Sequence, residues 1–174
     1  MARYGMLINT KKCVGCYACR VACQMVNGLE SDEAFIKFDE MEQGVYPNVY
    51  AEVVPVQCMH CEDAPCEAVC PTHATYTTDS GVVLVDEERC IGCKYCMAAC
   101  PYGARIQIKK TGVIEKCRFC WYEGEPGNPP RCVGTCISGA RLFGDLDDPQ
   151  SEICQEIART NAQPLSLIHI SEPT

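Results

Sequence analysis

Residues 13–23 read CVGCYACRVAC and residues 90–100 read CIGCKYCMAAC. Both have the spacing C-x2-C-x2-C-x3-C, and Gly15 matches Gly92 as Ala22 matches Ala99, so the chain contains an internal repeat. Two looser copies accompany it. Residues 58–71, CMHCEDAPCEAVCP, add two residues before the third cysteine, and residues 116–136, KCRFCWYEGEPGNPPRCVGTC, stretch that interval to eleven. The 17 cysteines thus form four runs: Cys13, Cys16, Cys19, Cys23; Cys58, Cys61, Cys66, Cys70; Cys90, Cys93, Cys96, Cys100; and Cys117, Cys120, Cys132, Cys136. Cys154 is left over.

Three cysteines at this spacing wrap one tight loop, and the fourth, a helical turn further on, has rotated to face a neighbour. A cubane suits that division. The bacterial run C-x2-C-x2-C-x3-C-P gives three thiolates to one [4Fe-4S] cluster and its fourth to another. Gly15 and Gly92 let successive backbone N–H groups bend towards an anionic cluster. Structural zinc, the alternative, takes two cysteine pairs divided by a loop, which is how residues 116–136 look in isolation. If fourth cysteines are exchanged, however, the runs must come in pairs, and a lone zinc ribbon would leave one run without a donor.

Hairpin signals indicate the pairs. TYTTDSGVVLVD (75–86) and RIQIKKTGVIEK (105–116) each read as strand, turn, strand. Runs two and three, with a hairpin between them, make a two-cluster unit; runs one and four make a second unit around it. The expected fold is α+β, two nested bacterial-ferredoxin-like units binding four 4Fe-4S clusters. The outer unit covers 1–52 plus 111–148, the inner 53–110, and 149–164 is a truncated extension. In the connecting segment 24–57, GLESDEAF and QGVYPNVY read as loop punctuated by turn residues. The last ten residues, LSLIHISEPT (165–174), match an in-frame translation of a sequencing-library adapter and are expected to make few contacts with the body.

Composition narrows the function. With 15 Lys+Arg against 23 Asp+Glu the formal charge is −8, which gains nothing from the counterion release that drives nucleic-acid binding. No apolar run approaches the ~18 residues that span a bilayer, so no direct membrane span is expected. Disulfides are the other use of many cysteines, but the first residues, MARYGMLINTKKCVGC, show no secretory h-region or twin arginine, which favours thiolates. No Walker loop, nucleophile elbow or dinucleotide fingerprint is present.

Taken together, RYGMLINTKKCVGCYACRVAC, VPVQCMHCEDAPCEAVCP, CIGCKYCMAACPYGAR, KCRFC and GARLFGDLDDP resemble the four-cluster iron-sulfur subunits of the dimethyl sulfoxide reductase superfamily, over residues 3–148. The resemblance implies a non-catalytic electron-transfer subunit. It would relay electrons between a molybdopterin-dependent catalytic subunit and an integral-membrane anchor with its quinol, or a soluble donor. A polyferredoxin-like partner of a formate dehydrogenase or hydrogenase is the alternative of the same chemistry, and a zinc scaffold that of another. Synthesis in the cytoplasm without a signal of its own is expected, followed by membrane association through partners, outward if co-exported, or by a cytoplasmic life. Two departures from the family pattern are Ile137, where proline is common, and His73, where glycine is common. Cys96 implies four irons where some nitrate-reductase relatives carry tryptophan and a three-iron cluster.

His60, inside CMHC, is expected to pack or hydrogen-bond, since four thiolates are already available. Cys154 is expected to be a buried free thiol. Trp121, Tyr95 and Phe119 either shield clusters or simply pack. The cations Lys11, Lys12, Arg20, Lys94, Arg105, Lys116, Arg118 and Arg131 either offset the anionic clusters or form an ordinary solvated charge distribution.

Overall fold

The computed structural model describes residues 2–121 and 127–162. The adapter-like tail therefore lies outside the described residues, as does part of the loop within the fourth cysteine run.

The same local construction is used four times. Two residues after the first cysteine of each run stands a residue in the left-handed region: Gly15 (φ 62°), His60 (45°), Gly92 (67°) and Phe119 (53°). A helix then starts one residue before each third cysteine: α1 (Ala18–Asn27), α2 (Pro65–Ala68), α3 (Tyr95–Ala98) and α4 (Arg131–Gly134). The left-handed turn folds the chain back so that the loop cysteines face the helix. Glycine accepts this conformation freely, whereas a side chain there costs about 1–2 kcal/mol. Gly92 could not carry one, because a Cβ would lie 2.7 Å from the Gly112 carbonyl oxygen. Pro65 opens α2 with its φ already helical.

After the second and third helices the chain turns into hairpins, as the alternation of residues predicted. β4 (Thr75–Thr77) pairs with β5 (Val83–Val85) and β6 (Arg105–Gln107) with β7 (Ile114–Lys116), both antiparallel. The turn glycines Gly81 and Gly112 have φ of 74° and 75°. β1 (Tyr4–Ile8) pairs instead with the distant β8 (Arg141–Asp145), in register from Tyr4↔Asp145 to Ile8↔Arg141. Helix contacts follow the same division, with α1 against α4 and α2 against α3.

One expectation needs correcting. GLESDEAF is indeed turn and coil, but QGVYPNVY is the end of a long hairpin. β2 (Lys37–Val45) and β3 (Asn48–Val56) pair over nine residues each, leaving only Tyr46-Pro47 between them. Apart from Phe38, β2 is exposed along its whole length. With no buried face, its sequence carries no period-two alternation to betray a strand.

The extension beyond residue 148 also has structure that its sequence did not announce. Helix α5 (Glu152–Thr160) is capped by Ser151, whose hydroxyl accepts from the Cys154 N–H at 3.4 Å. Its Ile153, 1% exposed, packs on Gly144, where a Cβ would come within 3.0 Å of the isoleucine Cγ2. Hydrocarbon is otherwise scarce inside the molecule. The larger core joins Phe35, Ile36, Val82 and Phe119 to Cys19, Cys23, Cys117 and Cys132; the smaller joins Val83 and Ile114 to Cys66 and Cys96.

Candidate iron-sulfur centre

In every run the third cysteine is buried, Cys19, Cys66, Cys96 and Cys132 alike, and Cys23 and Cys117 are buried with them. The second is more open, with Cys16 and Cys93 exposed and Cys61 and Cys120 half-buried. The helices carry the third cysteines inward, and the loops leave the second ones at the rim.

The thiols gather across runs. Cys70, from the second run, lines a partly open pocket with Cys90, Cys93 and Cys96 of the third. Cys100, from the third, lines another with Cys58, Cys61 and Cys66. Burial raises the Cys61 thiol above its ordinary value, and Cys58, Cys66 and Cys100 add to the effect. In the flanking region burial pushes Cys23 up to about 12, with Cys132 and Cys120 adding. It pushes Cys132 up to about 11, opposed by Arg141. Cys19 is raised by burial too, and Cys136 is among the thiols acting on it. Cys117 is raised as well, by burial first, with Cys58 and Cys132 contributing. Cys13 lies half-buried at the end of the 3-10 turn Thr10–Lys12.

Crowded, buried thiols hold their protons, so a positively charged group must displace them on binding. Cys70 and Cys136 depart from that trend. Burial opposes ionisation at both, yet both are lowered. Backbone N–H groups around Thr75, Thr72 and Ala74 and the Thr72 hydroxyl do this for Cys70, and the Ser138 hydroxyl with N–H groups around Ala140, Ser138 and Arg141 for Cys136. Among the described residues no three His, Cys, Asp or Glu side chains close on a single-ion site. In the central region the thiols line the walls of two pockets.

The neighbouring residues fall out unevenly. Of the eight cations, Lys11, Lys12, Lys94 and Arg131 are exposed, Arg20 and Arg118 are half-buried, and Arg105 and Lys116 are buried. Lys116 Nζ donates to the carbonyls of Val83 and Cys117, the latter at 2.9 Å. Arg118 pairs with Glu87 at 3.5 Å and Glu115 at 3.7 Å. A ninth cation, Arg141, was missed: it is buried, donates from Nη1 to Gln57 Oε1 at 2.7 Å, and approaches Cys132 Sγ at 3.9 Å. The signal that marks it is the recurrence of Gly-Ala-Arg three residues after a fourth cysteine, at 103–105 and 139–141.

His60 packs and hydrogen-bonds as expected. Its Nδ1 accepts from the Val83 N–H at 3.1 Å, and its ring stacks on Phe119 with centroids 3.9 Å apart. Burial holds its pKa well below the ordinary value, so the ring is neutral. Phe119 is buried, Trp121 packs beside it, and Tyr95 is exposed. Cys154 is only half-buried, its thiol donating to the Leu146 carbonyl at 3.4 Å. His73 adopts the glycine-like conformation (φ 51°), and its N–H donates to the Cys70 carbonyl at 3.2 Å, matching the Gly103 and Gly139 turns. Ile137 is 76% exposed.

Comparison with known proteins agrees with this chemistry. Two family models, both described as a 4Fe-4S dicluster domain, match residues 12–74 and 49–146. The thiosulfate reductase electron transfer subunit of Salmonella typhi is 42% identical over 151 residues, covering 85% of this chain and 79% of that one. A tetrathionate reductase subunit of Salmonella typhimurium is 39% identical, covering 87% of this chain, which spans 61% of that relative's length. A sulfite dehydrogenase subunit of Allochromatium vinosum is 39% identical, with 88% and 73% covered. With these matches laid over the thiol-lined cavities, the chain belongs to the 4Fe-4S dicluster family, among the iron-sulfur electron-transfer subunits of the dimethyl sulfoxide reductase superfamily.

Proposed function

We propose that the chain holds four [4Fe-4S] clusters in two pairs and passes electrons along them. Cys13, Cys16, Cys19 and Cys136 would hold one cluster and Cys23, Cys117, Cys120 and Cys132 its partner. Cys58, Cys61, Cys66 and Cys100 would hold the third, and Cys70, Cys90, Cys93 and Cys96 the fourth. The observation that carries this reading is the crossing of Cys70 and Cys100 into each other's cavities. The two units would be nested, residues 53–110 within 1–52 plus 111–148.

Each cluster would supply one-electron chemistry at a potential set by its surroundings. The chain's own residues bind by thiolate, exclude water with Phe119, Val82, Val83 and Ile114, and bring buried positive charge close to the sulfurs. The other end of the relay would be a molybdopterin-dependent catalytic subunit, as the relatives' names as reductase and dehydrogenase subunits support. An integral-membrane anchor would meet the opposite end; among the described residues no helix is long and apolar enough to cross a membrane. The assembled complex is proposed to lie at the membrane, facing outward.

Anaerobically purified protein should contain about sixteen irons, from four cubanes. C100S should deplete the cluster shared with Cys58, Cys61 and Cys66 and leave the one held by Cys90, Cys93 and Cys96. Loss of the latter cluster alone would show that each run closes on itself.

A further inference from the structure

Gly-Ala-Arg occurs at 103–105 after Cys100 and at 139–141 after Cys136, so each pair of cysteine runs ends in one such arginine. Both arginines open a strand, β6 and β8, and each is 3% exposed. Among the described residues neither guanidinium meets a carboxylate. Among the described residues no oxygen or nitrogen accepts from Arg105 at Nε, Nη1 or Nη2, or from Arg141 at Nη2. What they do meet is sulfur. Arg105 lines one pocket with Cys90, Cys93 and Cys96 and another with Cys58, Cys61 and Cys66. Arg141 lies 3.9 Å from Cys132 Sγ and acts on Cys19 and Cys23.

Cys66 and Cys96 are the third cysteines of runs two and three; Cys132 and Cys19 are those of runs four and one. Arg105 therefore borders both thiol sets of the central pair, and Arg141 lies against Cys132 in the flanking pair, where it also bears on Cys19. A buried, unpaired cation is costly unless negative charge is brought beside it. Four thiolates on a cubane carry about −2, and each added electron makes that more negative. A fixed cation in a water-poor interior favours the reduced form, with little screening by salt.

We propose that Arg105 and Arg141 set reduction potentials, each acting as a single cation shared by the two clusters of one pair and raising the potentials of both. The proposal rests on the paired-cluster reading above. Exposed Lys11, Lys12, Lys94 and Arg131 are screened by water and contribute little by comparison.

The test uses the full chain purified anaerobically as wild type, R105Q, R105K, R141Q and R141K. Each is analysed for iron and titrated with dithionite while the paramagnetic signals of the reduced clusters are followed. R105Q is expected to lower the midpoint potentials of one subset of signals and R141Q those of the complementary subset. The lysine variants, which keep the charge, stay closer to wild type. If a glutamine variant loses iron from its own pair while the lysine variant keeps it, the charge is needed to hold that anionic pair, and the proposal stands. Unmoved potentials at full iron content overturn it. So do equal shifts or equal iron loss in glutamine and lysine variants, or movement of the same signals by R105Q and R141Q. A wild-type iron content near half of the expected amount would break the four-cluster reading instead, and the variant potentials would still report on the arginines through the clusters present.

Discussion

The central region, residues 58–116, and the flanking region built from β1, α1, α4, β8 and α5 use one repeat with different amounts of hydrocarbon. The central helices are four residues long and the central strands three, whereas α1 has ten residues and β1 and β8 have five each. The flank adds an aromatic cluster, with Tyr4 stacked on Phe143 at 5.6 Å and Phe143 edge-on to Phe119 at 5.3 Å. The flank's buried arginine also has an oxygen partner, Gln57 just ahead of the central region, while among the described residues Arg105 has none. Two versions of one motif thus differ in how much of the fold is held by side chains and how much is left to whatever the thiols bind.

The largest effect should come from removing iron with a chelator under reducing conditions. Amide exchange is expected to become fast throughout 58–116, where short elements surround an uncompensated Arg105, while β1, β8 and α5 keep measurable protection. Uniform loss in both regions would erase the distinction.

Next comes F119A, which opens a cavity where the flanking aromatics meet the His60 ring. A cost of about 3–5 kcal/mol is expected from denaturant unfolding of the iron-loaded protein. Under 1 kcal/mol would mean that flanking hydrocarbon matters less than its burial indicates.

In iron-free protein R105M should act in the opposite direction, relieving a buried unpaired charge and restoring central-region amide protection by about 1–4 kcal/mol. R141M should gain less, because it strips the Gln57 oxygen of its partner. Equal gains would show that Gln57 does not distinguish the two sites.

The smallest effect is H73G. His73 is exposed with φ 51°, so relief of left-handed strain, less the added chain entropy of glycine, should stabilise by about 0.5–1 kcal/mol. A lower melting temperature would mean that the imidazole makes a contact worth more than the strain.

The cysteine runs and the two central hairpins were legible because their signals are local: spacing, a turn glycine, alternating apolar residues. Other features were harder to read. Helix α5 had a serine cap and Ile153 and Ile157 four residues apart, but little length. Hairpin β2–β3 lacked any alternation because most of it faces water on both sides. The left-handed turns at His60 and Phe119 were hidden because neither is glycine; aligning the four runs by their first cysteine would have exposed both.

By itself the sequence determined which atoms are available to bind and, in the first three runs, how the loop of thiols is shaped, because three cysteines and a left-handed turn are set there within about ten residues of chain. Only the tertiary structure decided which cations lie among those thiols. Lys11, Lys94, Arg105 and Arg141 all stand close to cysteines in the sequence, yet burial separates them. Pairing of β1 with β8 closes the flank over Arg141, and pairing of β6 with β7 closes the centre over Arg105, while Lys11 and Lys94 remain in water. Burial depends on chain segments that meet from far apart, and it is burial that turns a charge from a screened surface group into one that acts on its neighbours.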